Sequence, residues 1–298
     1  MRKLLLIIAL CLTLQPLCAR AVTPLDPDRE ASLTVIYQKD GAVFPDVKVA
    51  VYRVAEAFPS GKFQLIAPFS GYPVNIHDIM EQARWTDVAN TLNAYIVADK
   101  IVPDGQTVTD EAGLAKFASL KTGLYFVEEV MAENANGTYL FNRFLVYLPT
   151  PQPDGYDYEV EARPKCTAFA PKTQYTVTKL WQDGGKQENR PKAVTVDIYR
   201  DGDLTETQTL SGENDWTYTW SVSADDHGIW SVAERDVPEG YQVTVKENGS
   251  SFSLINTAQS QPDIPLTGDS YNPLPLVVIL CISGIGLVLL GLYIRRRK

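Results

Sequence analysis

The side chains through which this 298-residue chain could do nucleophilic or metal chemistry are few: four cysteines, two histidines (His77 and His227) and the close acidic pairs Asp201-Gly-Asp203 and Asp225-Asp226. A catalytic thiol or hydroxyl needs a base beside it, and a metal needs a ligand set at short spacing. The sequence has no G-x-S-x-G, no Cys/His arrangement and no paired metal motif. The acidic pairs could suggest calcium but read better as turns. We therefore expect neither an enzyme nor a carrier of a metal or cofactor. With 27 basic against 36 acidic residues, for a formal charge of −9, a nucleic-acid backbone is a poor partner.

The two ends are addresses. Arg2 and Lys3 precede an apolar run from Leu4 to Leu14, then Ala19-Arg20-Ala21. This is the plan of a cleaved secretory signal over residues 1–21. The run is about 16 Å long as a helix, too short to span a bilayer. Leu17 and Pro16 before Cys18 lack the small residues of a lipoprotein site. At the other end, Leu274–Ile294 is uncharged and about 31 Å long as a helix, enough to cross a membrane. Arg295, Arg296, Arg297 and Lys298 then hold the C-terminus in the cytoplasm.

Cys11, Cys18 and Cys281 fall in these ends, so only Cys166 remains in an exported segment where disulfides are permitted. No sulfur staple is expected, and Cys166 is expected to be buried. Removing the seven basic residues and one acidic residue of the ends takes the net charge from −9 to −15. That is a solvated acidic surface.

Between the ends the pattern is mostly β. Leu33–Tyr37, Val47–Val54, Tyr139–Leu148, Tyr175–Trp181, Ala193–Arg200, Asp215–Val222, Gly228–Glu234, Tyr241–Lys246 and Ser251–Asn256 are rich in β-branched and aromatic residues between Gly, Pro and Asp. Asn136-Gly137 and Asn248-Gly249 suit type I′ hairpins. Ile76, Ile79, Met80, Ala83, Trp85, Val88, Leu92, Tyr95 and Ile96 follow helical spacing. One or two short helices are expected over 76–98, with this stripe in the core. The expected segments are a linker at 22–30, a first domain at 31–168, a second at 173–258, a linker at 259–269, and the apolar span at 274–294 followed by the basic tail at 295–298.

Ile264-Pro265-Leu266-Thr267-Gly268, just before the apolar span and basic tail, resembles the cell-wall sorting signal of Gram-positive surface proteins. The resemblance implies that a sortase cuts between Thr267 and Gly268 and passes the Thr267 carbonyl to an amine. A simple single-span membrane protein is the alternative. Thr109-Asp-Glu-Ala-Gly113 with Phe117, Leu120, Gly123, Tyr125 and Glu129 resembles the Cna B-type immunoglobulin-like domain of such proteins. So does the series Val177-Thr-Lys179-Leu-Trp181, Trp230–Glu234, Val237-Pro-Glu-Gly-Tyr241 and Phe252–Asn256. The implied fold is two β-sandwiches, the first with a helical insertion.

The resemblance to these domains implies an intramolecular isopeptide bond in the second. A lysine on the first strand (Lys179) attacks the amide of an asparagine on the last (Asn256), with a glutamate (Glu234) between them. Trp181, Trp220 and Trp230 are candidates for the dry surroundings. The same comparison places Tyr37 and Cys166 where lysine and asparagine are needed in the first domain, so no bond is expected there and Glu129 is left as an ordinary carboxylate. Tyr156-x-x-x-Val160-x-Ala162-Arg163-Pro164-Lys165 partly resembles the pilin motif, whose lysine accepts the sortase-bound threonine of the next subunit. The combined expectation is a pilus subunit polymerised through Lys165 and Thr267. Its partners would be a sortase, other pilin subunits, peptidoglycan and a host surface ligand. A monomeric wall-anchored adhesin or basal pilin is the alternative.

Overall fold

A computed structural model describes residues 23–77 and 79–259. The secretory signal, Ile264, Pro265, Leu266, Thr267, Gly268 and the apolar span lie outside the described residues.

Both halves use one strand plan. In the first, Ala31–Ile36 lies between Glu159–Ala162, which runs parallel to it, and antiparallel Leu114–Leu120. Its partner sheet orders Phe144–Leu148, Gly123–Val127, Lys48–Ala57 and Phe63–Leu65. Leu33, Val35 and Tyr37 alternate inward and meet Val49, Val51, Tyr125 and Val127 in one core. In the second half, Gln174–Gln182 lies between antiparallel Thr217–Ser221 and parallel Ser251–Ala258, with Tyr241–Asn248 at the edge. Ala193–Arg200 pairs with Asp203–Ser211 and Trp230–Glu234 in the partner sheet.

The Thr109-Asp-Glu-Ala-Gly113 string is a turn that locks the first strand. Thr109 Oγ1 donates to the Phe44 carbonyl at 2.7 Å and accepts from Val47 N at 2.9 Å, while Asp110 Oδ1 accepts from the amides of Ala112 and Leu114. Gly113 has φ +73°, and a Cβ there would stand 2.5 Å from the Tyr37 carbonyl, so only glycine fits.

One helix, Gln82–Ala98, joins the halves, which pack as one compact unit. Val88, Ala89, Leu92, Tyr95 and Ile96 sink into a cluster with the first half's Tyr52 and Phe126, and Val243 of the second half enters it too. Ala94 enters the second half's core. Thr91 Oγ1 accepts from Val245 N at 2.9 Å, and Lys246 pairs with Asp87 at 3.1 Å. The helix thus covers the edge strand Tyr241–Asn248, whose backbone would otherwise be open to another chain.

Several expectations need correction. The helix begins at Gln82, not near 76, because Glu81 is still extended. Ile76 is buried from a loop, and Met80 is 93% exposed, so the helical stripe does not reach it. The run Tyr139–Leu148 is two strands, Gly137–Phe141 and Phe144–Leu148, interrupted at Asn142-Arg143, where Arg143 turns inward. Hairpins do occur at both Asn-Gly sites, but the turn residues are Ala135-Asn136 and Gly249-Ser250. Neither pair has the two positive φ values of type I′.

Candidate functional site

Lys179, Glu234 and Asn256 meet inside the second half. Alternation along Gln174–Gln182 turns Lys179 inward with Tyr175 and Val177. The parallel register sets Lys179 beside Leu254 and Trp181 beside Asn256, so the lysine and asparagine stand two residues apart on neighbouring strands. Glu234 ends the Trp230–Glu234 strand of the opposite sheet and reaches across. Their exposures are 2%, 4% and 0%.

Glu234 bridges the other two. Its Oε2 is 3.6 Å from Lys179 Nζ, and its Oε1 accepts from Asn256 Nδ2 at 2.9 Å. Lys179 Nζ also donates to the Leu180 carbonyl at 3.0 Å and the Leu254 carbonyl at 3.3 Å, and stands 4.1 Å from the centre of the Trp181 ring. Asn256 Oδ1 makes no hydrogen bond. Burial depresses the Lys179 ammonium to about 8, against an opposing pull from Glu234, and burial raises the Glu234 carboxyl. Both shifts favour the uncharged forms. An amine, an amide carbonyl and a carboxyl between them, all dry, can perform acyl transfer from the amide nitrogen to the amine.

Of the three tryptophans, Trp181 lies against Lys179 and packs edge-on with Trp216 and Tyr241. Trp220 and Trp230 instead form a cluster with Tyr175, and Trp220 also stacks on Phe252. The register explains this: Trp220 pairs with Tyr175, four residues back along the strand from Lys179.

Tyr37, at the position matched to Lys179, is fully buried, with its ring edge-on to Phe141 at 5.0 Å. Cys166 is a free, half-buried thiol packed against that core, and burial raises its pKa. Glu129 does not face Tyr37's core. Its Oε1 accepts from Arg143 Nη2 at 2.8 Å, while Arg143 Nη1 donates to Glu247 at 3.0 Å and Asn90 at 3.3 Å. This buried knot takes one residue from the helix, two from the first half and one from the second. Sequence reasoning missed Arg143; the one available signal was a charged residue inside the β-rich run 139–148.

Lys165 is exposed in the loop between Glu159–Ala162 and Cys166–Ala168, and its carbonyl accepts from Asn142 N. It borders a cavity of about 570 Å³ together with Arg163, Lys172, Arg143 and Glu247. The two acidic pairs are turns: Asp226 binds Arg200, the Trp230 indole and Gly228 N, and Asp201 Oδ1 accepts from Ile229 N.

Residues 175–257 match the family model of the Cna protein B-type domain. Over 97 residues the chain is 33% identical to the collagen adhesin of Staphylococcus aureus, a stretch covering 30% of this chain and 8% of that protein. The chain therefore spans less than a tenth of that relative's length. Among solved structures, the full-length major pilin SpaD of Corynebacterium diphtheriae is similar at 12% identity and a TM-score of 0.28, covering 79% of this chain and 99% of that one. The major pilin SpaA of the same organism is similar at 16% identity and a TM-score of 0.29, covering 76% and 68%.

Proposed function

We propose that this is a surface-displayed pilin-type subunit, structural and without turnover, whose second half is closed covalently between Lys179 and Asn256. The carrying observation is the dry Lys179–Glu234–Asn256 cluster between the first and last strands of the segment that matches the B-type domain. In the proposed step the Lys179 nitrogen attacks Asn256 Cγ, the new C–N bond forms, and the bond to Nδ2 breaks. Glu234 takes a proton from Nζ at one oxygen and gives one to Nδ2 at the other, so ammonia leaves and the carboxyl is restored. The two Glu234 oxygens already face the nucleophile and the leaving nitrogen.

In this reading the subunit is exported, cut by a sortase between Thr267 and Gly268, and joined through the Thr267 carbonyl to Lys165 of another copy. The last subunit is joined to peptidoglycan, so the fibre stays on the cell wall. The exposed position of Lys165 supports an acceptor role. The identity to a collagen adhesin favours a second reading, a single wall-anchored adhesin with a host ligand and Lys165 unused.

Two measurements test this. The intact mass of the chain falls short by one ammonia, and Lys179→Ala restores the full mass; a full wild-type mass overturns the internal bond. Cell-wall extracts give detergent-resistant ladders that Lys165→Ala abolishes. Monomer alone on the wall selects the adhesin reading.

A further inference from the structure

A second charged cluster shares the Trp181 ring with Lys179. In the loop after the first strand, Arg190 binds Asp183 with two parallel bonds, Nε to Oδ2 at 2.6 Å and Nη2 to Oδ1 at 2.7 Å. Asp183 is buried and also accepts from Gly185 N at 3.1 Å and the Tyr241 hydroxyl at 3.3 Å. The guanidinium carbon stands 5.6 Å from the centre of the Trp181 ring, which Lys179 Nζ approaches at 4.1 Å. Tyr241 both packs on Trp181 and holds Asp183. A planar fork on a buried carboxylate is held far more rigidly than a surface ion pair.

We propose that Arg190 is the positioning residue of the cross-linking site: fixed by Asp183 and Tyr241, its guanidinium pins the Trp181 ring against Lys179 and sets a second cation beside the reacting amine. The proposal rests on the cross-linking reading above. Its electrostatic side has a definite sign. The Arg190 charge, after burial, pushes the Lys179 ammonium toward the free amine, against the pull of Glu234. The charged and titratable groups around the pair are Glu234 from the opposite sheet, Arg190 and Asp183 from the loop and Tyr241 from the edge strand. The Tyr95 hydroxyl, from the helix, acts with Glu234. Among them Arg190 is the cation acting on Lys179.

The full chain, recovered from inclusion bodies in denaturant and shown there to have its full mass, is diluted into buffers across the acid and neutral range, and ammonia loss is followed by intact mass. Wild type reacts with a rate that falls toward acid as the amine protonates. Arg190→Met moves that acid limb up by about half a unit and slows the reaction about threefold at neutral pH. Arg190→Lys keeps the charge and the wild-type limb, with a lower plateau. An unmoved limb in Arg190→Met, or the same upward shift in Arg190→Lys, overturns the proposal. A wild type that never loses ammonia instead overturns the cross-linking reading. If Arg190→Met does not fold, Arg190→Gln serves in the non-reacting Asn256→Ala chain. There NMR titration of the Lys179 ε-group reads the same upward shift, and an unchanged Lys179 titration overturns the proposal.

Discussion

In the first half Tyr37 occupies the place that Lys179 holds in the second. Tyr37 directly follows, and Lys179 lies within, a central strand paired in parallel with the last strand of its own sheet. The surroundings differ in kind. Tyr37 meets Phe141, which in turn packs edge-on with Phe44, so that interior is aromatic. Lys179 meets a carboxyl and an amide. Glu129, matched to Glu234, leaves the core and pairs with Arg143 at the joint between halves. The same framework therefore makes an aromatic core in one half and encloses a buried polar triad in the other. What decides is the side chain at three positions, and a glutamate without its lysine finds another cation.

The comparison breaks most sharply at Asn256. A cross-link there closes a loop of about 78 residues, worth about 4.5 kcal/mol on the chain-entropy account. Asn256→Ala is expected to lower stability by about that amount, read from denaturant midpoints at unchanged slope, while Cys166→Ala in the first half costs far less. The variant also acquires a pH dependence. Its folded Lys179 loses its proton near 8, below the ordinary 10.5, because burial disfavours the ammonium. Between these values the unfolded chain binds more protons, so stability rises with pH across about 8 to 10.5. On the cross-linking reading the wild type has no Lys179 ammonium left to titrate and is expected to show no such rise, and an equal slope in both chains argues against the bond.

The joint comes next. Arg143→Met leaves Glu129 and Glu247 facing each other without their cation, an expected loss of about 3 kcal/mol. Adding Glu129→Gln to that variant recovers part of the loss, which a mere packing defect would not allow. Thr91→Val removes the acceptor for the Val245 amide and is expected to cost about 1–2 kcal/mol. Hydrogen exchange at the Val245 amide reads that loss locally.

Much of this was legible in the residues. Alternating β-branched and aromatic runs located six of the second half's strands to within a residue or two, and Ala193–Arg200 to the residue, because a half-buried strand writes its period of two into sequence; the strand Asp203–Ser211 was missed, being polar and mostly exposed along its length. Alternation with Tyr175 and Val177 puts Lys179 on the inward face, but Lys179, Glu234 and Asn256 were legible as one set only by resemblance to the B-type domain. The joint was not legible. Helical spacing overran Gln82 because Ile76 is buried from a loop, and periodicity registers burial without its cause. Arg143 faces inward because three partners from three distant segments meet it, a fact of tertiary structure that no short window contains. Arg190 and Asp183 are seven residues apart in a polar loop, where such pairs are usually solvated.

The smallest expected effect carries the comparison's other side. The Tyr37 hydroxyl is buried and makes no hydrogen bond, and burial with the nearby Glu128 charge raises its pKa. An unpartnered buried hydroxyl costs free energy without return, so Tyr37→Phe keeps the ring contacts with Phe141 and removes only the cost. We expect no loss of stability and a gain of up to about 1 kcal/mol in thermal or denaturant unfolding. Lys179→Met at the matched position is expected to go the other way, since it removes the nitrogen that Glu234 faces and forbids the bond. A loss of stability in Tyr37→Phe comparable to that in Lys179→Met would show that the first half's core depends on a polar contact at this position after all, and would end the contrast drawn between the two interiors.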